Sequence, residues 1–186
     1  PGSMPQVRAG SRNEQFLVQI YNGINTELSN VEAYFLLPAA NTQEDGKWRT
    51  ALTGQPVFAA EAGTSYKVYY TTQELMESGK QGWTLDELAA LGTWKEAAGG
   101  RIPEEDIGKV SGFRFVFETL GNREQFKMTA DFGVPAVKQG TKPDYGAMAI
   151  GQTLFDFSDE MKGENANTAA VRLRRSDPPI VREPEG

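Results

Sequence analysis

Apolar and polar residues alternate with a period of two along most of this chain, the spacing that turns one face of a strand toward a core and the other toward solvent. Phe16, Val18 and Ile20 alternate with Leu17, Gln19 and Tyr21, and Val31, Ala33, Phe35 and Leu37 alternate with Glu32, Tyr34 and Leu36. The pattern returns in Tyr66-Lys67-Val68-Tyr69-Tyr70 and in Phe113, Phe115 and Phe117, which are separated by Arg114 and Val116. It returns again in Phe126, Met128, Ala130 and Phe132 around Lys127, Thr129 and Asp131, and in Ala169, Val171 and Leu173. With residues 147–157, ending in Leu154-Phe155-Asp156-Phe157, and a short Val57-Phe58 run, this makes about eight expected strands. Turn residues punctuate them at Asn22-Gly23, Leu120-Gly121-Asn122 and Pro143-Asp144-Tyr145-Gly146.

One segment departs from the rule. Thr84 followed by Glu87 forms a capping box, apolar residues follow at helical spacing, and Gly92 supplies the stop, so a short helix is expected inside a connection. The Ile102-Pro103-Glu104-Glu105-Asp106-Ile107 stretch is expected to make a turn. Many short strands, one helical excursion and no βαβ alternation predict an all-β fold: an antiparallel two-sheet β-sandwich, Ig-like in the broad sense. Residues 13–175 are read as that single domain. Residues 1–12 are read as a lead-in whose Pro1-Gly2-Ser3-Met4 has the look of a cloning scar. Residues 176–186, rich in Pro and charge, are read as a stiff linker or the first strand of a following domain.

Composition narrows the chemistry. The 186 residues contain no His and no Cys, which excludes Ser-His-Asp and Cys-His relays, thiol nucleophiles, disulfides and thiolate metal sites. A chain of this length can fold without disulfides. A net charge of -6, from 19 Lys+Arg against 25 Asp+Glu, argues against a nucleic-acid partner, since Arg172, Arg174 and Arg175 are its only basic cluster. No apolar run approaches the ~20 residues needed to span a bilayer, so no direct membrane insertion is expected. Without His, ligand binding is expected to vary little between about pH 5 and 8.

Four patterns, taken in order, resemble the repeated β-sandwich domains of cell-wall-anchored surface proteins and adhesins of Gram-positive bacteria. The first is Phe16-Leu17-Val18-Gln19-Ile20-Tyr21-Asn22 followed by Leu28-Ser29-Asn30-Val31-Glu32-Ala33-Tyr34-Phe35-Leu36-Leu37-Pro38. Tyr66-Lys67-Val68-Tyr69-Tyr70-Thr71-Thr72 is similar to their "V-Y-Y-S/T" strand and leads into an excursion containing Trp83 and Trp94. Val110-Ser111-Gly112-Phe113-Arg114-Phe115 resembles "V-x-x-I/F-R", while Gly146-Ala147-Met148-Ala149 and Asn167-Thr168-Ala169-Ala170-Val171 resemble the "G-x-x-A" and "N-T-A-x-V" near their ends. The resemblance covers residues 13 to 174. It implies a non-enzymatic extracellular module, anchored to the wall through other parts of a longer chain, acting as adhesin or stalk beside neighbouring domains and a host or matrix protein or glycan ligand. Related modules often carry a Lys-Asn isopeptide bond. Here Lys67 and Lys127 fall on the polar phase of their strands and the first strand has no Lys, so no such bond is expected.

Trp48, Trp83, Trp94 and Tyr66, Tyr69 and Tyr70 are candidate sugar-stacking rings, because a flat apolar ring matches the C–H face of a pyranose. Trp83, directly before the Thr84 cap, is expected to pack as a hydrophobic staple. Trp48, between Lys47 and Arg49 in an expected polar loop, and Tyr69 are the candidate ligand-binding residues, and they support an alternative reading as a carbohydrate-binding module. No cofactor is expected. Ca²⁺ is the one ion considered, at Asp156-Phe157-Ser158-Asp159-Glu160 or Glu44-Asp45-Gly46, although neither has the spaced D-x-[DN]-x-[DN]-G loop of a strong site. A carboxylate-based glycoside hydrolase, with candidates Glu118, Asp131 and Asp156, is the least favoured alternative, because nothing marks a proton donor.

Overall fold

The computed structural model describes residues 6–8, 10–12, 14–42, 46–80, 82–134, 147–148, 150–156, 171–174 and 180–182. The chain begins with β1 (Gln6–Arg8) and β2 (Glu14–Asn22), then β3 (Leu28–Thr42), β4 (Gly46–Arg49), β5 (Ala51–Leu52), β6 (Val57–Ala60) and β7 (Tyr66–Thr71). The excursion follows, with a 3-10 turn at Met76–Ser78 and helix α1 (Leu85–Ala89), and returns through β8 (Lys95–Glu96). A single helical turn, α2 (Glu104–Ile107), leads into β9 (Gly112–Leu120) and β10 (Gln125–Gly133), followed by β11 (Ala147–Met148), β12 (Ile150–Asp156), β13 (Val171–Arg174) and β14 (Ile180–Arg182). The expected one-helix connection thus gains a second helical turn where only a bend was anticipated. Glu104, Glu105 and Asp106 in its first turn complement the partial positive charge of a helix start.

Two sheets pack face to face as an antiparallel β-sandwich. The six-stranded sheet runs β12-β3-β9-β7-β8 with β4 added to β3, and the five-stranded sheet runs β13-β2-β10-β5 with β6 also on β10. Their inner faces carry the alternating residues: Val31, Ala33, Phe35, Leu37, Val68, Phe113, Phe115 and Phe117 on one side, and Phe16, Val18, Ile20, Phe126, Met128, Ala130 and Phe132 on the other. Aromatic rings fill the gap between sheets. Phe16 stacks on Phe132 at 3.7 Å between centroids and meets Phe35 edge-on at 5.2 Å, while Phe126 meets Phe117 and Tyr66 edge-on at 5.2 and 4.9 Å.

The six-stranded sheet is covered on its outer face as well. Residues 72–94 lay Leu75, Met76 and Leu88 against Tyr34, Leu36 and Ala39, with Trp83, Leu85, Leu91, Trp94 and Leu154 around them. That second, smaller core explains why both phases of Tyr34-Phe35-Leu36-Leu37 are buried. The excursion lies so close that a Cβ on Gly112 would stand 2.9 Å from Leu75 Cδ1, so this strand position has room only for glycine unless Leu75 moves.

Thr84 caps α1 as its spacing predicts: its hydroxyl accepts the Glu87 amide at 3.1 Å and the Glu87 carboxylate accepts the Thr84 amide at 2.9 Å. Lys80, 2.6 Å from that carboxylate, and the Thr84 amide hold the Glu87 carboxyl below its ordinary value. Gln152 of β12 clamps the same corner, accepting from the Trp83 amide at 2.8 Å and donating to its carbonyl at 2.7 Å.

A third, three-stranded sheet has the order β1-β14-β11. In it β1 and β14 run parallel, with Gln6, Val7 and Arg8 opposite Ile180, Val181 and Arg182. The segment read as a linker or as the first strand of a following domain contributes a strand, Ile180–Arg182, that pairs with β1.

Candidate functional site

The outer face of the six-stranded sheet is where the rings, charges and exposure predicted for a site coincide. One row of paired residues crosses it: Leu154 on β12, Tyr34 on β3, Arg114 on β9, Tyr69 on β7 and Glu96 on β8. The excursion covers the Tyr34 end, with Trp94 5.8 Å from the Tyr34 ring. It leaves Tyr69 and Arg114 half-exposed at its margin, beside the exposed Lys67. The Arg114 guanidinium lies between two rings, 5.9 Å from the Tyr34 centroid and 5.7 Å from that of Tyr69. Its Nη2 is paired with Glu32, whose other carboxylate oxygen accepts the Tyr34 hydroxyl at 2.9 Å. Burial alone pushes the Arg114 pKa down, but the bond to Glu32 and the flanking tyrosines outweigh it, and the net shift is upward. Arg114 Nε is buried without a hydrogen-bond partner. A ring face, a planar cation and a carboxylate acceptor held on rigid strands are the elements of a recognition surface.

Of the two residues expected to bind ligand, Tyr69 belongs to this cluster. Trp48 does not: it lies on β4, opposite Ala40, not in a polar loop. Ala40 is six residues beyond Tyr34 along β3, about 20 Å at the rise of a strand, so Trp48 and Tyr69 do not form one platform. The β4 strand pairs antiparallel with the end of β3, from Thr42 opposite Gly46 to Ala39 opposite Arg49. The Trp48 side chain lies outside the described residues. Trp83 packs as anticipated, and Trp94, a candidate stacking ring, packs against the same cluster, their indole N–H groups donating to the carbonyls of Leu75 (3.4 Å) and Leu88 (2.8 Å).

Sequence reasoning missed Arg114 as the partner of Tyr69 and Glu32 as the partner of Arg114. The available signal was charge on the polar phase of two otherwise apolar strands, Phe113-Arg114-Phe115 and Val31-Glu32-Ala33. It also missed Arg49, taken only as a neighbour of Trp48. Arg49 donates to the carbonyls of Val110 and Gly108 and lies 3.4 Å from the buried carboxylate of Glu77. Burial pushes its pKa down against the opposing pull of Glu77 and Glu74.

The hydrolase candidates separate. Glu118 shares the outward phase of Arg114 and Val116 on the six-stranded sheet, whereas Asp131 shares that of Lys127 and Thr129 on the five-stranded one and accepts Gln15 Nε2 at 3.3 Å. They stand on opposite outer faces and do not form a pair; the Asp156 side chain lies outside the described residues. Among the described residues no group of three or more acidic side chains could hold a metal ion. Residues 157–160 and 44–45, the heart of both calcium candidates, and the side chains of the Arg172 cluster lie outside them. Lys67 is exposed and Lys127 half-buried on outer faces, away from any crosslinking position in the core. No helix among the described residues is long and apolar enough to cross a membrane.

Tyr70, next to Tyr69, points the other way. It is buried in the main core and donates its hydroxyl to Asp106 at 2.6 Å, tying α2 to β7. Burial first, then Asp106, raises its pKa to about 12. A phenol whose folded value lies above its unfolded value of about 10 contributes stability that is complete below pH ~10 and lost as pH rises toward 12. The stabilities of wild type and Tyr70→Phe from urea melts should therefore diverge as pH rises through that window, wild type losing about 2 to 3 kcal/mol that the variant, which cannot ionise there, keeps. Parallel losses in both proteins would contradict this. Compared with family models, with curated proteins and with solved structures, the chain matches none of them, so the reading of its site rests on its own residues.

Proposed function

We propose that this chain is a non-enzymatic, extracellular β-sandwich module of a bacterial cell-wall-anchored surface protein, serving in cell attachment as adhesin or stalk. The observation that carries the adhesive part is the half-exposed Tyr69–Arg114–Glu32 cluster, left open at the margin of the excursion that covers the Tyr34 end of the sheet face. The resemblance of the ordered strand motifs to Gram-positive surface domains supports the location, and a cysteine-free sandwich suits an exported module that holds together through its aromatic core. The ligand is a host or matrix protein, or a glycan, offering an apolar face for Tyr69 and polar groups for Arg114 and Glu32.

Arrays of matrix proteins and glycans probed with the purified chain test this reading. Binding is expected to fall about tenfold or more in Tyr69→Ala, with the melting curve unchanged, and to persist in Trp48→Ala. Empty arrays would remove the adhesive role and leave the stalk. A second reading, a carbohydrate-binding module, is favoured by the exposed ring of Tyr69; binding confined to glycans and lost in Trp48→Ala would carry it. A parent reading frame with a signal peptide, tandem copies and a wall-sorting motif would support the surface location.

A further inference from the structure

The parallel pairing of β1 with β14 has a mechanical meaning that depends only on strand direction. Tension on a chain enters β1 from its Gln6 side and leaves β14 from its Arg182 side. In a parallel ladder with Gln6 opposite Ile180 and Arg8 opposite Arg182, those two points lie at opposite ends. The strands are then pulled past one another, and the evenly spaced bonds of the ladder share the load. The next pair inward is arranged differently. β2 and β13 are antiparallel, with Arg174 opposite Gln19 and Val171 opposite Asn22, so the leading end of β2 and the trailing end of β13 lie at the same end. Tension there opens one residue pair at a time.

We infer that the β1–β14 ladder is the force-bearing clamp of this module: it shields the two packed sheets from tension, and once it ruptures the β2–β13 pair peels at low force. This deepens, and for its biological use rests on, the surface-module reading, in which a stalk must hold its fold while a bound ligand pulls.

Because the chain has no Cys, paired cysteines give unique attachment points for single-molecule pulling of the full chain. Met4→Cys with Glu185→Cys loads the ladder in shear. Arg12→Cys with Glu185→Cys moves one handle to the other side of β1, where the exposed Arg12 precedes β2, and loads the same ladder from one end. The expected result is a rupture force roughly two-fold or more higher in the first geometry, a difference set by the barrier along the pulling direction. Equal forces, or a higher force in the second geometry, would overturn the clamp. The double substitution Val7→Pro/Arg8→Pro, which removes two of the three amide donors of β1, should bring the first geometry down toward the second while near-UV circular dichroism stays native. An unchanged force in that variant would overturn the clamp as well. Neither result touches the array experiment, so failure of the clamp and failure of the adhesive reading are separable.

Discussion

Replacing Asn22 by alanine is expected to destabilise the fold by about 2 to 4 kcal/mol, because its buried amide gives up bonds to three carbonyls, of which that of Leu120 is buried. Asn22 is fully buried at the end of β2. Its side-chain amide donates to the carbonyls of Thr26 (2.8 Å), Leu120 (3.0 Å) and Gly121 (3.1 Å), and its Oδ1 accepts the Ile24 amide at 3.1 Å. Its own backbone amide donates to Glu124 at 3.0 Å. Thr26 lies in the β2–β3 connection, and Leu120, Gly121 and Glu124 lie in or beside the β9–β10 connection. One side chain thus joins two hairpin ends that each pass from one sheet to the other, closing that end of the sandwich. Leaving the buried Leu120 carbonyl without its donor costs about 1 to 3 kcal/mol, and losing the bonds to the Thr26 and Gly121 carbonyls, which solvent reaches, adds about 1 kcal/mol. Asn22→Asp keeps the size but sets a carboxylate against the same three oxygens, so it should cost at least as much as alanine. Denaturant melts with the slope held in common would measure both. A loss under about 1 kcal/mol in either variant would show that the corner is held by something else.

Asn22 also marks the boundary of what the sequence discloses. Asn22-Gly23 reads as turn punctuation, and a turn is there; nothing local tells that the amide belongs to a second turn a hundred residues away. The inner faces were legible because period-two alternation is a local consequence of strand geometry: Phe16, Val18 and Ile20, or Phe113, Phe115 and Phe117, need no knowledge of their partners. The Thr84 capping box was legible for the same reason, being complete within four residues. The covered outer face was half-legible. The unbroken apolar run Tyr34-Phe35-Leu36-Leu37 is what a strand buried on both sides requires, but which segment covers it follows only from tertiary packing. Likewise Tyr69 could be singled out as an aromatic on a polar phase, while Arg114 reaches it through cross-strand pairing over a distant stretch of chain and Glu32 joins through Arg114. Trp48 was misplaced because Lys47-Trp48-Arg49 has the polar composition of a loop, while its pairing with β3 is a cross-strand contact that no local pattern reveals.

The same dependence on distant partners makes Arg49 the second sensitive position. Arg49→Ala is expected to destabilise the fold by about 3 kcal/mol, the lower end of the range for breaking a buried ion pair. The reduction follows from exposure: Glu77 is almost fully buried, but a fifth of the Arg49 side-chain surface still meets solvent. Arg49 fastens three segments. It closes β4, at the point where Thr50 turns the chain by donating its amide and hydroxyl to Pro38 at 3.0 and 2.8 Å. It holds the carbonyls of Gly108 and Val110 ahead of β9, and it compensates Glu77 in the 3-10 turn that starts the excursion. Removing it leaves a buried carboxylate without its cation, whereas Glu77→Ala leaves a cation that still has two carbonyls and some solvent. The loss in Glu77→Ala should therefore be smaller. In Arg49→Ala/Glu77→Ala the orphaned charge is gone, so the double variant should be less destabilised than the sum of the singles by about 1 kcal/mol or more. Strict additivity across that cycle would mean that Arg49 acts through the two carbonyls alone. In that case the excursion should stay closed over Tyr34 and Leu36 in the Glu77 variant, with native protection of the Leu75 and Leu88 amides in hydrogen exchange.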